Sequence, residues 1–473
     1  MSTVSVTAQT YVGVHPARAF QMFADGRLLG AECAELAVGA AIAIPLPMRS
    51  DATDQSDITL LGRVMSIRPA QRVVIVHQQP WPGRLTIRFH REGDGTRVTL
   101  ASEVDHDGID WLVRRRGFDP PSPPHPSVHR IGLLLSKSGS AAVFAQATQT
   151  LAEMAVDEIN DDGGIGGKRV ELRVGDDASR SWSGVAEALR LVREGCRAVF
   201  ACVTSATFNA VANALQGTGV LLIHTVLNEG GANRENVIRL GERPMGQLRV
   251  GVPHLMSDTG ASRWFFVGQR YSWSFGAHMS ARRVVSETGG SVVGEAFVDL
   301  GTTDFEKVID RIRLSRAELV LTTLVGHDEV AFQRSFWKSE LHRATRTFAL
   351  VLDEASLQLI GDEAAAGLHT AFAYFESLDS DANRSLIRRY RERAGPLVPP
   401  ASSLTETTYE AIIAYARSSR RGDDAPTTAD FLAVVESGSV TGRDGARRLI
   451  TPPIYLGEVV DGQIVAIGYR DDG

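Results

Sequence analysis

Ser205 sits where binding chemistry needs neither a metal nor a nucleophile. The apolar run 198–203 reads as a buried strand, Thr204-Ser205 follows, and helical residues begin at about Ala206. In open α/β sheets, small ligands settle at the carboxyl ends of strands, where loops run into helices. A serine there either caps the helix or leaves neighbouring N–H groups free to hold a carbonyl or carboxylate oxygen. Spacing alone favours the cap. His224 closes a second run, Leu221-Leu222-Ile223, and is either a ligand contact or a satisfied buried histidine. Tyr271 and Trp273 follow a third run, 264–268, and offer apolar area with one hydroxyl and one indole N–H, or ordinary packing. Asp353-Glu354 ends a fourth, 348–352. Glu354 is either a cleft acid suited to a ligand amine or amide N–H, or a solvated loop acid. Where these groups face a ligand, their chemistry suits holding a molecule and not transforming one.

Other patterns fail as chemistry. Gly163-Gly-Ile-Gly-Gly-Lys168 looks like a phosphate loop but lies after a helix and before a strand, with Arg169 where Ser or Thr should follow. It reads as a helix stop and a turn. The 12 histidines contain no HExxH or comparable metal spacing, and no GxSxG appears, so neither metal, cofactor nor catalytic residues are expected. The three cysteines, Cys33, Cys196 and Cys202, form no CxxC and demand no oxidising compartment. A net charge of -6 argues against nucleic acid as a direct partner, and Arg114-Arg-Arg116 reads as a solvated basic face. No window approaches 18 apolar residues, which predicts no membrane span. The first residues, Met1-Ser-Thr-Val-Ser-Val, lack the basic start and apolar core of an export signal, so a cytoplasmic location is expected.

The elements that must position these groups fall on either side of one composition shift. Phe118-Asp-Pro-Pro-Ser-Pro-Pro-His-Pro126 holds five prolines in nine residues and reads as a semi-rigid spacer. It suggests a domain over 1–116, a linker over 117–127 and a larger unit over 128–473. In the first, Arg84-Leu-Thr-Ile-Arg-Phe-His90 alternates strictly, and Glu92-Gly-Asp-Gly95 turns the chain into a second alternating run, 96–100. Pro16 opens a short helix carrying Ala19, Phe20 and Phe23. After the linker, short apolar runs alternate with helical segments. Val143, Phe144, Ala147, Leu151, Met154, Ala155 and Ile159 mark one helical face. The alternation restarts near Trp264, which predicts two parallel-sheet lobes with the chain crossing between them more than once. The end, 453–470, reads as a hairpin turning at Asp461-Gly462.

The first 115 residues or so resemble the START-like, polyketide-cyclase-like helix-grip family (SRPBCC), an α+β fold. That family closes its cavity with a long final helix, and here only Gly108-Ile-Asp-Trp-Leu-Val113 precedes the basic cluster. From Arg130 onwards the chain resembles the type I periplasmic-binding-protein fold of amide, urea and branched-chain amino acid receptors, and most of all the cytoplasmic regulators of aliphatic amidase expression. Leu135-Ser-Lys-Ser-Gly139, Ala155-Val-Asp-Glu-Ile-Asn160 with Gly163-Gly164, Cys202-Val-Thr-Ser205, Asn228-Glu-Gly230, Phe266-Val-Gly268 with Tyr271, Val325-Gly326 and Tyr374-Phe375 carry it in order. The resemblance implies a bilobed α/β module and a ligand site drawn from Ser136, Ser138, Ser205, His224, Val226, Asn228, Tyr271, Trp273, Gly326 and Glu354. Val226 makes the stretch after His224 more aliphatic than in amide-sensing relatives.

The function expected from this is a cytoplasmic small-molecule sensor. It would close on an amide, urea-like compound or amino acid derivative and act on a regulatory protein partner in transcription control, with a homodimer as one assembly. Two alternatives stand beside it. One is a transport receptor. The other is a cyclase- or hydrolase-like enzyme, or a lipophilic-ligand carrier, in residues 1–116, where His77, Arg84, Arg88 and His90 either line a polar cavity or face solvent.

Overall fold

The computed structural model describes residues 4–46, 58–104, 108–109, 127–230, 235–419, 425–437, 449–450 and 452–470. The basic cluster 114–116, nearly all of the proline-rich linker and most of the expected closing segment 108–113 lie outside the described residues.

Six strands form the first sheet: β1 (Val4–Val12), β2 (Ala41–Leu46), β3 (Ile58–Arg68), β4 (Arg72–Gln79), β5 (Gly83–Glu92) and β6 (Gly95–Val104). They pair antiparallel in the order β1-β6-β5-β4-β3-β2. Period-two alternation makes one face apolar: Leu85, Ile87 and Phe89 are buried while Arg84, Arg88 and His90 between them are exposed. The helix Pro16–Ala24 lies on the apolar face, buries Ala19 and Phe23, and sets Phe23 at 6.2 Å from Phe89. His77 is buried with Nδ1 at 2.9 Å from the Trp81 carbonyl. The polar groups considered for a cavity therefore do not gather in one.

The second sheet is wholly parallel, its successive strands joined by crossover connections. It contains β7 (Val128–Leu135), β8 (Arg169–Asp176), β9 (Ala198–Cys202), β10 (Leu221–His224) and β11 (Val237–Arg239), in the order β11-β10-β9-β7-β8. Gly163 and Gly164, both at positive φ, stop the helix Ala145–Asp161, and the Gly164 N–H donates back to the Ile159 carbonyl at 2.8 Å.

The third sheet takes β12 (Arg263–Gln269), β13 (Ser291–Val298), β14 (Leu319–Thr323), β15 (Arg346–Ala349), β16 (His369–Phe372), β17 (Ile454–Val460) and β18 (Gln463–Arg470), in the order β13-β12-β14-β15-β16-β17-β18. The second lobe is parallel except at one edge, where the hairpin expected over 453–470 forms. β17 and β18 return as an antiparallel hairpin through Asp461-Gly462, both at positive φ. The run 348–352 also yields a shorter strand than its apolar length suggested. After Leu350 bonds the Thr322 carbonyl at 3.0 Å, the chain turns into the helix Glu354–Ile360.

The helices Asp381–Ala394, Ser403–Ser418 and Thr428–Ser437 belong with the second sheet, since their buried side chains join the core around Leu133, Leu151 and Phe200. The chain thus passes between lobes near 240–244, 373–380 and 450–453. Glu242 ties these passages together. Buried at 1% exposure, its Oε1 accepts from the Ala373 N–H at 2.8 Å and from the Ser403 hydroxyl. Gly241 N–H donates to the Leu449 carbonyl at 2.8 Å. Among the described residues, no helix is long and apolar enough to cross a membrane.

Candidate functional site

The helix Ser205–Ala214 begins directly after β9, and its N-cap is Thr204, whose hydroxyl accepts from the Thr207 N–H at 3.4 Å. The cap is therefore Thr204 and not Ser205. One consequence is that the Ser205 hydroxyl is left over: it makes no hydrogen bond among the described residues, and neither do the N–H groups of Ser205 and Ala206. These are the donors that a helix N-terminus presents to an anion.

Across from Ser205, β12 ends and Tyr271 leads into the helix Ser272–Glu287. Trp273 is 2% exposed, and its indole N–H has no partner among the described residues. Its ring stacks on Tyr271 with centroids 6.4 Å apart. Burial, with help from the negative Glu229 and Asp328, pushes the Tyr271 phenol well above its ordinary value, so it stays a neutral donor. Tyr271, Trp273 and Val325 from one lobe face Ser205, Val226 and Phe144 from the other, around a space of about 440 Å³ that includes its open side. Cys202, Leu227, Val351 and Leu404 complete the apolar wall. The Cys202 thiol is pushed up to about 12, above all by burial, and is inert as a nucleophile. No Asp, Glu, Lys or Arg is among the described residues that line this cleft.

Of the residues marked from sequence, Ser205, Val226, Tyr271 and Trp273 come together here. The others are engaged elsewhere. Ser136 donates to Asp177 Oδ1 at 2.6 Å and Ser138 to Asp176 Oδ2 at 3.1 Å, so both brace the loop after β8. Asn228 donates to the Leu240 carbonyl at 2.7 Å and accepts from the Gly230 N–H at 2.9 Å, which fixes its own loop. His224 stacks on Phe208 at 4.2 Å with Nε2 at 2.9 Å from the Val203 carbonyl, and burial pushes its ring down to about 4. It is a neutral donor inside the first lobe. Gly326 makes a contact between lobes: at φ 58°, its position would put a Cβ 2.1 Å from the Ser140 carbonyl oxygen. Glu354 points away from the cleft and accepts from the Glu376 N–H at 2.8 Å, in a separate groove with Leu357 and Arg391. Burial first, then the Asp353 charge, raises its carboxyl well above the usual range.

Sequence reasoning missed Phe144, Val325, Val351 and Leu404 as walls of the cleft. Phe144 carried a signal, since it lies at the start of an apolar helical face, but that face was read as core. Leu404 comes from the stretch of chain that returns to the first lobe after 373–380, and no local spacing announces it.

A family model described as "Periplasmic binding protein" matches residues 129–463. Among curated proteins, the Leu/Ile/Val-binding protein BraC3 of Rhizobium johnstonii is 28% identical over 193 residues, 40% of this chain and 53% of that protein. The chain thus spans about half the length of that relative. Among solved structures, a solute binding protein of an R. palustris ABC transporter in complex with benzoate superposes with a TM-score of 0.61 at 19% identity, covering 73% of this chain and 98% of the other. A branched-chain amino acid transporter substrate binding protein from Streptococcus pneumoniae, in complex with isoleucine, gives 0.62 at 17% identity, covering 72% and 99%. At such identities these two likenesses show the fold.

Proposed function

Since the chain belongs to the periplasmic binding protein family over residues 129–463, we propose that it is a non-enzymatic solute receptor of the ABC-transporter type, working outside the cytoplasmic membrane. Its ligand is a small, largely apolar molecule whose polar end is a hydrogen-bond acceptor, a carboxylate above all. The observation that carries this reading is the donor set of the cleft. The Trp273 N–H, the Ser205 hydroxyl, the Tyr271 hydroxyl and the first N–H groups of the helix Ser205–Ala214 face apolar walls with no charged side chain among them. A carboxylate accepts from such donors, and hydrogen bonds to a charged acceptor are the strong ones. An ammonium group would find no acid there, because Glu354 is turned to the Glu376 N–H, and an unpaired buried cation is costly.

The relatives bracket the choice. One structure was solved with benzoate and another with isoleucine. Thermal-shift and calorimetric titration of the full chain with benzoate, isoleucine and 3-methylpentanoate (isoleucine without its amine) would decide between them. At a hundredfold excess over Kd a bound ligand stabilises by about 2.7 kcal/mol. Benzoate or 3-methylpentanoate binding better than isoleucine is the expected result. A preference for isoleucine would overturn the acceptor-only ligand class. Binding of none, together with no small molecule in native mass spectra of the gently purified protein, would overturn the receptor reading.

A second reading keeps the same cleft but makes the chain a cytoplasmic sensor that regulates a protein partner, singly or as a homodimer, as in the amidase regulators. What favours it is the N-terminal sheet, which we read as a START-like domain filled by its own side chains; it lies outside the residues that the family model matches. Fractionation of the native host decides: the chain in the periplasmic fraction supports the receptor, and in the cytosol the sensor.

A further inference from the structure

One side chain of the N-terminal sheet holds both lobes at once. Arg63, on β3, donates from Nε to the Leu397 carbonyl at 2.7 Å and from Nη2 to Gln358 Oε1 at 2.6 Å. Leu397 follows the helix Asp381–Ala394 of the first lobe, and Gln358 lies on the helix Glu354–Ile360 of the second. Its Nη1 donates to the Gly39 carbonyl at 3.1 Å, within its own domain. Neighbouring contacts repeat the pattern. Gln79, in the amide orientation its surroundings require, donates to the Ala142 carbonyl at 2.6 Å and accepts from the Gln146 N–H, both in the first lobe. Glu32 places its carboxylate 3.5 Å from His327 Nδ1 in the second. Apolar contact follows the same line, with Leu61 and Ala43 continuous with the core around Phe144, Val351 and Leu359.

These receptor segments are two-sided. Ala141 and Phe144 of the 3-10 helix Ser140–Phe144 line the cleft, while Val143 faces the N-terminal sheet. Val351 lines the cleft, and Ala355 and Gln358 just beyond it face the sheet. The lobes also touch across the cleft, at Gly326 and Ser140. Arg63 spans Leu397 of one lobe and Gln358 of the other, so a rotation of one lobe that changes their separation strains or breaks one arm of this bridge.

We propose that the N-terminal domain is a built-in clamp. It docks on the closed arrangement of the two lobes, so closure and docking stabilise each other, and the solute leaves only when Arg63 releases one lobe. Reciprocity between two linked equilibria requires that weakening the docking weaken closure.

Hydrogen exchange of the full chain, without ligand, tests this directly. Peptides covering 203–210 and 271–278 report the cleft from both lobes, and peptides covering 58–68 and 83–92 report the sheet. Arg63→Ala is expected to speed cleft exchange in both lobes by roughly tenfold, the factor that goes with losing a hydrogen bond to a charged group. Gln358→Ala cuts one arm of the bridge from outside the sheet and should do the same to a smaller degree, with sheet protection unchanged. Arg97→Ala, which removes the exposed pair with Glu92, should change neither region. Cleft exchange at the wild-type rate in Gln358→Ala and in a folded Arg63→Ala overturns the clamp. If Arg63→Ala unfolds the sheet, Gln358→Ala alone decides. Because no ligand is added, failure of the clamp leaves the solute-receptor reading standing, and failure of every ligand leaves the exchange result standing.

Discussion

Trp273 and Ser205 hold donors that the fold does not use, and this separates their effect on binding from their effect on stability. A buried donor without a partner adds nothing to the folded state and costs its desolvation. Trp273→Phe should therefore leave the chemical denaturation midpoint unchanged or slightly raised, while ligand affinity falls roughly 10- to 100-fold, the range for a hydrogen bond to a charged group. Ser205→Ala should behave alike in calorimetry and unfolding. His224 is the opposite case, a residue of the fold. Its ring is pushed down to about 4 by burial, against an ordinary 6.5. The unfolded chain therefore binds the extra proton first, and stability is lost as pH falls from about 6.5 to about 4, by up to about 3 kcal/mol. The difference in urea midpoint between the wild-type chain and His224→Gln across that range should show the slope, because buried carboxyls such as Asp177 and Glu329, raised to about 7, titrate with the opposite sign in both proteins. Sequence placed both histidine and serine at strand ends correctly. It did not tell that His224 turns back to the Val203 carbonyl, because side-chain direction is set by Phe208, which stacks on it from the preceding helix.

At the scale of elements, strand ends and helix stops were legible because they depend on neighbouring residues alone: β9 into Thr204-Ser205, the Gly163-Gly164 stop, the Asp461-Gly462 hairpin. The passages between lobes were not, since their partners lie more than a hundred residues apart. Glu242 shows why this matters. Glu242→Ala orphans the Ala373 N–H and the Ser403 hydroxyl and should cost about 2–4 kcal/mol in urea unfolding, whereas Glu242→Gln keeps the accepting oxygen and most of the stability. Gly326 acts between elements in another way. With φ 58° and a Cβ that would meet the Ser140 carbonyl oxygen at 2.1 Å, Gly326→Ala forces the lobes apart. X-ray scattering should show a larger radius of gyration, with ligand affinity down at least about tenfold, as expected when strain of about 1–3 kcal/mol falls on the closed state. The acid of Asp353-Glu354 was readable as a strand-end group, but which lobe surface it served was not. Its helix, Glu354–Ile360, belongs as much to the contact with the N-terminal sheet as to the receptor.

For the molecule as a whole, the order of parts along the chain differs from their order in space. β17 and β18 come last and complete the sheet begun at β12, burying Ile454, Leu456 and Ile464. A chain ending at residue 450 would leave β16 as an open edge over an uncovered apolar face, a template for aggregation. Such a protein is expected in the insoluble fraction on expression, whereas Ile467→Lys, an exposed position on β18, should stay soluble. The same ordering has a consequence on the ribosome. The six-stranded N-terminal sheet pairs within residues 4–104 and can form while the rest is still being translated. Neither lobe has that freedom, because the first waits for the helices after residue 380 and the second for the last hairpin. At roughly 5–20 residues per second, the emerging receptor stays unfinished for many seconds beside a finished domain, and the surface that will later grip both lobes is the first folded surface the nascent lobes meet.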